Sequence, residues 1–320
     1  MPTAALIVNG KSRRGREWYP QVLAKLREEG FELTETNLLR DPKLLDEHVK
    51  RAIKAKTPLV CVGGGDGTLS GACGLFVGSE STLGVLPLGT GNSLARDLGI
   101  KVDVNEACKV LTDGVVREID LGVINDQRFV NVATIGLTTR IAESLDNEAK
   151  KKWGRMVYLT AIFKAVAKVK QFEVDLELPS GKQCMQAVQV VVGNGRFHGG
   201  PFPILPDAEI ESGKLAGYVL TSLERGTLLR YGLSLVVGHH SDMKEVVPFE
   251  VKTLNIKTVP VKRITVDGET RLTTPAEFSV LHRAIRVMTP AETPSRRVFD
   301  VIEKRIEEIR ERTQKKSETP

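Results

Sequence analysis

The 320-residue chain predicts an α/β protein of two domains, a parallel α/β domain over residues 1–123 and a mainly antiparallel domain over 124–290. Three observations carry this reading. Short apolar runs alternate with helical spacings in the first third, the pattern of a parallel sheet that binds ligands beyond its strands' carboxyl ends. Two of those runs, Leu59–Val62 and Leu83–Leu86, each end in a glycine-rich turn that opens a helix. From Phe172 onward the pattern changes to short strand candidates separated by turn residues.

The elements follow in order. Ala4–Val8 reads as the first strand, with Asn9-Gly10-Lys11-Ser12 at its end. A Walker A loop is excluded there because Ala5 stands where the first glycine belongs. The turn reads either as a short anion contact through Asn9, Lys11 and Ser12 or as solvated basic surface. Trp18, Val22, Leu23 and Leu26 give Arg16–Glu29 a helical spacing, closed by Gly30. Phe31–Thr36 reads as a strand and Asp41–Ala55 as a helix.

The stretch Gly63-Gly64-Gly65-Asp66-Gly67-Thr68 follows the third strand, and Pro87-Leu88-Gly89-Thr90-Gly91-Asn92 follows the fourth. Glycines let backbone N–H groups approach an anion, and a helix N-terminus adds a favourable dipole. Asp66 would repel a phosphate in such a loop unless a cation stood between them, and a carboxylate with substrate phosphates is the usual Mg²⁺ environment. The plainer reading of Asp66 is a helix cap. Arg96, one helical turn after Asn92, could pair with phosphate or fix Asp66.

A helix is expected over Asn105–Leu111, then paired strands Val115–Val123 and Arg128–Ile135 around Asn125-Asp126. Asp120 lies between them and the glycine loops, as a metal-binding or a structural carboxylate. Leu137–Lys170 holds helical material, with the basic run Lys150-Lys151-Lys152 beside Trp153. The later strand candidates are Phe172–Leu178, Met185–Val192, Lys214–Leu220, Glu245–Lys252, Arg263–Val266, Glu277–Leu281 and Ile285–Met288. Val266-Asp267-Gly268-Glu269 reads by itself as a hairpin turn. Arg297–Thr313 has amphipathic helical spacing and is expected to dock on the first domain, making 291–320 a C-terminal appendage.

Composition excludes several classes. Cys61, Cys73, Cys108 and Cys184 are scattered without a CxxC pair, and the five histidines form no HExxH pattern, so neither a disulfide framework nor a zinc hydrolase is expected. No apolar run approaches the roughly 20 residues that span a bilayer. The N-terminus lacks the basic, apolar and small-residue regions of a signal peptide, so a cytoplasmic location is expected. A net charge of +6 suits anionic membrane surfaces or polyphosphate. No aromatic-interleaved basic platform supports nucleic-acid binding.

The ordered set GGGDGT and PLGTGNSLAR resembles the diacylglycerol kinase-like catalytic domain, the lipid kinase family that includes bacterial diacylglycerol kinases, sphingosine kinases and ceramide kinases. Further matching pieces are Val8–Ser12, Ile119–Asn125, Phe129–Gly136, Val191–Gly200 and Val266–Glu269, so the resemblance covers Ala4 to about Pro290. It implies a β-sandwich-like lipid-binding second domain with the nucleotide between the domains. It also implies ATP and Mg²⁺ as cofactors and peripheral contact with a membrane that holds the lipid substrate, and it leaves a homodimer open. Nucleotide contacts are implied at Asn9, Lys11, Ser12 and Thr36, at Gly63 through Thr68 (with Gly64, Gly65, Asp66 and Gly67 between), and at Gly89, Thr90, Gly91, Asn92 and Arg96. The matching glutamate of the family is the proton acceptor, which implies Glu269 as base, with Asp66 on Mg²⁺–ATP and Asp120 as a second metal candidate; the reverse roles of Glu269 and Asp66 stay open.

The pattern departs from the family in two places. Ser93 stands where many members carry aspartate. Glu211-Ser212-Gly213 replaces an Asn-Asp-Gly turn that contributes to an auxiliary metal site, and serine is a poor substitute for an anionic ligand. Two other readings follow. One is a non-catalytic nucleotide- or lipid-binding regulator. The other is an NAD kinase, which shares GGDGT but for which no nicotinamide-site motif is present. A dinucleotide oxidoreductase is the weaker reading, because Ser70 occupies the third glycine position.

Overall fold

The computed structural model describes residues 1–137, 170–198, 202–222, 224, 226–228, 230–231, 234 and 240–291. The helical material expected after Leu137, the Lys150–Trp153 segment and the Arg297–Thr313 helix lie outside the described residues.

The first domain is built on β1 (Thr3–Asn9), α1 (Arg13–Glu28), β2 (Glu32–Leu39), α2 (Leu45–Lys54), β3 (Leu59–Gly64), α3 (Asp66–Cys73), β4 (Thr82–Pro87), α4 (Ser93–Asp97) and α5 (Val104–Asp113). Strands pair in parallel in the order β2-β1-β3-β4. Covered on both faces, β3 and β4 are buried along their whole length, which is why they read as continuous apolar runs rather than alternating ones. Their carboxyl ends gather both glycine turns and the Asn9 turn on one edge. The first helix starts at Arg13, earlier than its apolar spacing predicts, because Ser12 caps it by accepting from the Gly15 amide at 2.8 Å.

The remaining strands are β5 (Val115–Ile124), β6 (Gln127–Phe129), β7 (Val132–Gly136), β8 (Phe172–Leu178), β9 (Gly181–Ala187), β10 (Gln189–Gly193), β11 (Phe197–His198), β12 (Phe202–Pro203), β13 (Leu215–Leu220), β14 (Val246–Val251), β15 (Thr253–Val259), β16 (Arg263–Val266), β17 (Glu269–Thr273) and β18 (Ala276–Thr289). A six-stranded antiparallel sheet runs β14-β13-β10-β7-β16-β17. Facing it, β8 turns Phe172, Val174 and Leu176 inward, and these pack with Ile135, Val190, Val192 and Ile256. Two antiparallel faces closing on one core make the second half sandwich-like. β18 continues across the molecule: it pairs antiparallel with β15 and β5, and its end pairs parallel with β4. One ten-stranded sheet therefore includes strands from both halves of the chain.

Four expected strands differ in the structure. Met185–Val192 is split at Val188: β9 pairs with β8 in the large sheet, and β10 enters the six-stranded one. Arg128–Ile135 is also split, because the amides of Val130, Asn131 and Val132 turn to the Asp267 carboxylate instead of continuing the pairing with β5. Conversely, Glu277–Leu281 and Ile285–Met288 form one strand with a register shift between Leu281 and Ile285, where Arg283 has φ +50°. The looped-out residues belong to a bulge, which spacing reads as a gap. Among the described residues no helix is long and apolar enough to cross a membrane.

Candidate functional site

The two glycine turns touch. A Cβ on Gly89 would lie 2.7 Å from the Gly65 Cα and 2.9 Å from the Asn92 Oδ1, so the second loop can approach the first only through glycine. Asn92 shapes its own turn: buried and left-handed at φ +51°, it accepts from the Gly89 amide and donates to the Gly89 carbonyl. Gly89→Ala is therefore expected to separate the loops. The forecast is a rise in nucleotide KM together with about 1–3 kcal/mol of lost stability from overpacking, read by steady-state kinetics and a urea melt.

Asp66 joins the loops in a way the sequence did not reveal. Its Oδ2 accepts from the Asn92 amide at 2.9 Å and its Oδ1 from the Ser93 amide at 2.6 Å. The amides that open α4 are thus held by a carboxylate. Those opening α3, on Asp66, Gly67 and Thr68, have no partner within the helix and are the ones left for an anion. Each oxygen of half-exposed Asp66 accepts one amide and keeps a second lone pair, so the group fits a role toward Mg²⁺-bound phosphates.

The remaining sequence candidates divide into loop builders and exposed groups. Asn9 donates from Nδ2 to Thr68 Oγ1 at 3.2 Å and accepts the Lys11 amide on Oδ1, tying the first turn to the GGGDGT turn. Gly63 and Gly64 are buried at the end of β3, and a Cβ on Gly64 would meet Thr68 at 2.3 Å. Arg96 Nε donates to the Gly91 carbonyl at 3.0 Å rather than to Asp66. Lys11 and Thr90 are exposed. Thr36 lies within β2 opposite Leu6, short of the edge where the turns gather. Arg14, missed in the sequence, donates to the Gly89 carbonyl at 2.7 Å and lines a cleft of about 400 Å³ with Ser12, Arg13, Glu17, Leu88 and Thr90.

Asp120 is wholly buried, and protein donors hold it. Oδ1 accepts from the Arg283 amide at 2.8 Å and contacts His282 Nδ1 at 2.7 Å, and Oδ2 accepts from the Gly213 amide at 2.6 Å. The Glu211-Ser212-Gly213 turn thus reaches Asp120 through backbone, while Glu211 pairs with Arg117 at 2.7 Å.

Glu269 is exposed at the start of β17, just past a turn in which Asp267 (φ +47°) and Gly268 (φ +89°) are both left-handed. Positive φ at both central positions is the tight hairpin geometry that Asp-Gly favours. Asp267 does more than turn the chain. It accepts the Val130 amide at 2.9 Å, the Asn131 amide at 3.0 Å and the Val132 amide at 2.9 Å, and it accepts a hydrogen bond from the Ser70 hydroxyl on α3, 197 residues away. Burial pushes its carboxyl up, against the opposing effect of Ser70 and the three amides. Ser70 lies one helical turn beyond Asp66, so this clasp seats the Glu269 hairpin on the helix that opens at the first glycine loop.

This fold and site define a class: a two-domain protein whose parallel α/β half presents paired glycine loops to a carboxylate-bearing hairpin of an antiparallel, sandwich-like half. Known proteins match both halves of the chain. Residues 3–124 match the diacylglycerol kinase catalytic domain, and residues 131–289 match the YegS C-terminal NAD kinase beta sandwich-like domain. A diacylglycerol kinase of Mycobacterium tuberculosis is 30% identical over 253 residues, covering 76% of this chain and 81% of its own. One from Staphylococcus epidermidis is 27% identical over 300 residues, covering 90% and 92%. A crystal structure described as a diacylglycerol kinase from Bacillus anthracis superposes with a TM-score of 0.71 at 22% identity, covering 91% and 98%, a likeness of fold. The chain belongs to the diacylglycerol kinase family of lipid kinases. These matches do not favour the NAD kinase reading.

Proposed function

We propose that the protein transfers the γ-phosphate of ATP to a hydroxyl of a lipid such as diacylglycerol. The observation that supports this most is the Ser70–Asp267 clasp, because it brings Glu269 to the same helix as the GGGDGT loop from the far end of the chain. Phosphoryl transfer to an alcohol needs a phosphate cradle, charge neutralisation and a carboxylate near the hydroxyl, with little covalent chemistry from the protein.

The chain's residues divide that work. Amides at the start of α3 receive phosphate oxygens, and the Gly89–Asn92 turn closes against them. Asp66 orients the second loop through the Asn92 and Ser93 amides and would hold Mg²⁺ with its remaining lone pairs. Mg²⁺, when bound, neutralises charge on the transferring group. Glu269 takes the proton of the acceptor hydroxyl as its oxygen bonds to the γ-phosphorus and the bond to ADP breaks. Because the acceptor resides in a bilayer, the protein works as a peripheral enzyme at the membrane surface.

Purified protein with γ-labelled ATP, Mg²⁺ and an extracted lipid mixture tests this reading. Label is expected in the organic phase, and its loss is expected in Asp66→Ala. Absence of transfer to that mixture, to a defined lipid panel and with Mn²⁺ would replace the kinase reading with a regulator that binds nucleotide or lipid. Label appearing on added NAD would establish NAD kinase instead.

A further inference from the structure

Asp97 closes α4 at the end opposite the Asp66 contact, and it faces the second domain. Its Oδ1 accepts from the Arg196 amide at 2.8 Å. A Cβ on Gly195 would lie 2.4 Å from its Oδ2, so the turn closes on the carboxyl group only because residue 195 is glycine. That Oδ2 is shielded from solvent and finds no hydrogen bond among the described residues. The amide oxygen of Asn194, one residue before this turn, is likewise shielded and without a donor.

The contact continues into the core of the second domain. The Arg196 carbonyl accepts from the Ile204 amide at 2.6 Å. Ile204 belongs to a third apolar cluster with Val191, Leu205, Tyr218, Leu220 and Tyr231. At the other end, the first amides of α4 hold Asp66. This five-residue helix is therefore a strut, with the phosphate loops at one end and the second domain's core at the other.

We propose that Asp97 is a positioning residue that fastens the Gly195–Phe197 turn to α4, so that the phosphate loops and the acceptor-binding half hold one register during transfer. The coupling to an acceptor rests on the kinase reading above; the fastening itself does not. The fastening is strongest while the Asp97 carboxyl is protonated. Burial raises its pKa from 3.8 to about 7, although the Arg196 and Phe197 amides and the Arg196 charge favour ionisation. Arg196 directs its own Nε to the Ala208 carbonyl at 3.0 Å. Of the other charged groups nearby, Arg96 on the same helix bonds to the Gly91 carbonyl, and Asp66 from α3 meets the helix at its opposite end. An ionised Asp97 would place charge on a solvent-shielded carboxylate that the Arg196 and Phe197 amides offset only in part, which loosens the turn.

The sign of the pH effect follows. A carboxyl group raised from 3.8 to about 7 on folding contributes stability that is fully present below the lower value and is lost as pH rises through the upper one. Melting temperatures of the full chain and of Asp97→Asn are to be compared from pH 5 to 8.5. The wild-type protein is expected to lose stability relative to the variant up to about pH 7, and the difference is then expected to level off. In kinetics with ATP and a lipid acceptor, the wild type is expected to show a several-fold alkaline decline that Asp97→Asn abolishes, and Gly195→Ala to raise the acceptor KM more than the ATP KM.

Parallel melting curves across the whole range would overturn the protonation-dependent fastening. A shifted melting profile with an unmoved alkaline limb and unmoved acceptor KM would overturn the positioning role and leave a structural contact. If no lipid is phosphorylated, the kinase reading fails, and the melting comparison still decides whether Asp97 fastens the turn.

Discussion

Glu269→Gln is expected to lower kcat for lipid phosphorylation by about 10²–10⁴-fold, the range general base catalysis supplies. The amide keeps the size of the side chain and removes its ability to take a proton. The side chain is exposed at the start of β17, so the fold does not depend on its burial. Stability and the KM for ATP should therefore change little, and a urea melt that superposes on the wild-type curve checks this. A variant that keeps most of its kcat would transfer the base role to Asp66. Loss of kcat together with a large shift in the melt would mean that Glu269 acts through structure.

Asp267→Asn should behave differently although it lies only two residues away. The carboxylate accepts from Ser70 and three consecutive amides, and an amide group places a donor where one of those N–H groups points. Leaving one such donor unsatisfied costs about 1–3 kcal/mol. Asp267→Ala removes every acceptor at once and should cost more. Both variants should also lower kcat, since the hairpin that carries Glu269 loses its seat on α3. The measurement is a denaturant midpoint paired with kcat for each variant. A midpoint unchanged in Asp267→Ala would refute the clasp, whatever happens to activity. Ser70→Ala provides the complementary readout, because it removes the contact between the halves and leaves the three amides capped.

Much of the fold was legible in the residues. Continuous apolar runs in β3 and β4 read as strands, which the structure covers on both faces, and Phe172–Leu178 read as a short strand between turn residues, which the structure packs with one face on a core. The splits at Val188 and at Val130–Asn131 were not legible. A strand that leaves one sheet for another keeps its apolar residues, because both sheets line the same core. Periodicity carries no record of where its backbone partners change. The bulge in β18 was hidden for the opposite reason: the looped-out residues interrupt the apolar spacing while the strand continues.

For the candidate site, the sequence by itself determined the loops. GGGDGT and PLGTGN report local backbone demands, a close approach of two turns and a left-handed Asn92, and such demands select residue types position by position. Only the tertiary structure decided what the carboxylates hold. Asp66 was read as a metal ligand and is also the group that fixes the second loop. Asp120 was read as a metal candidate, and here His282, Arg283 and Gly213 surround it. Asp267 was read as half of a turn and joins the two domains. Asp97 gave no signal at all. A carboxylate's partners are amides and hydroxyls from distant segments, every residue except proline offers such an amide, and so the chain itself cannot say which of them will arrive.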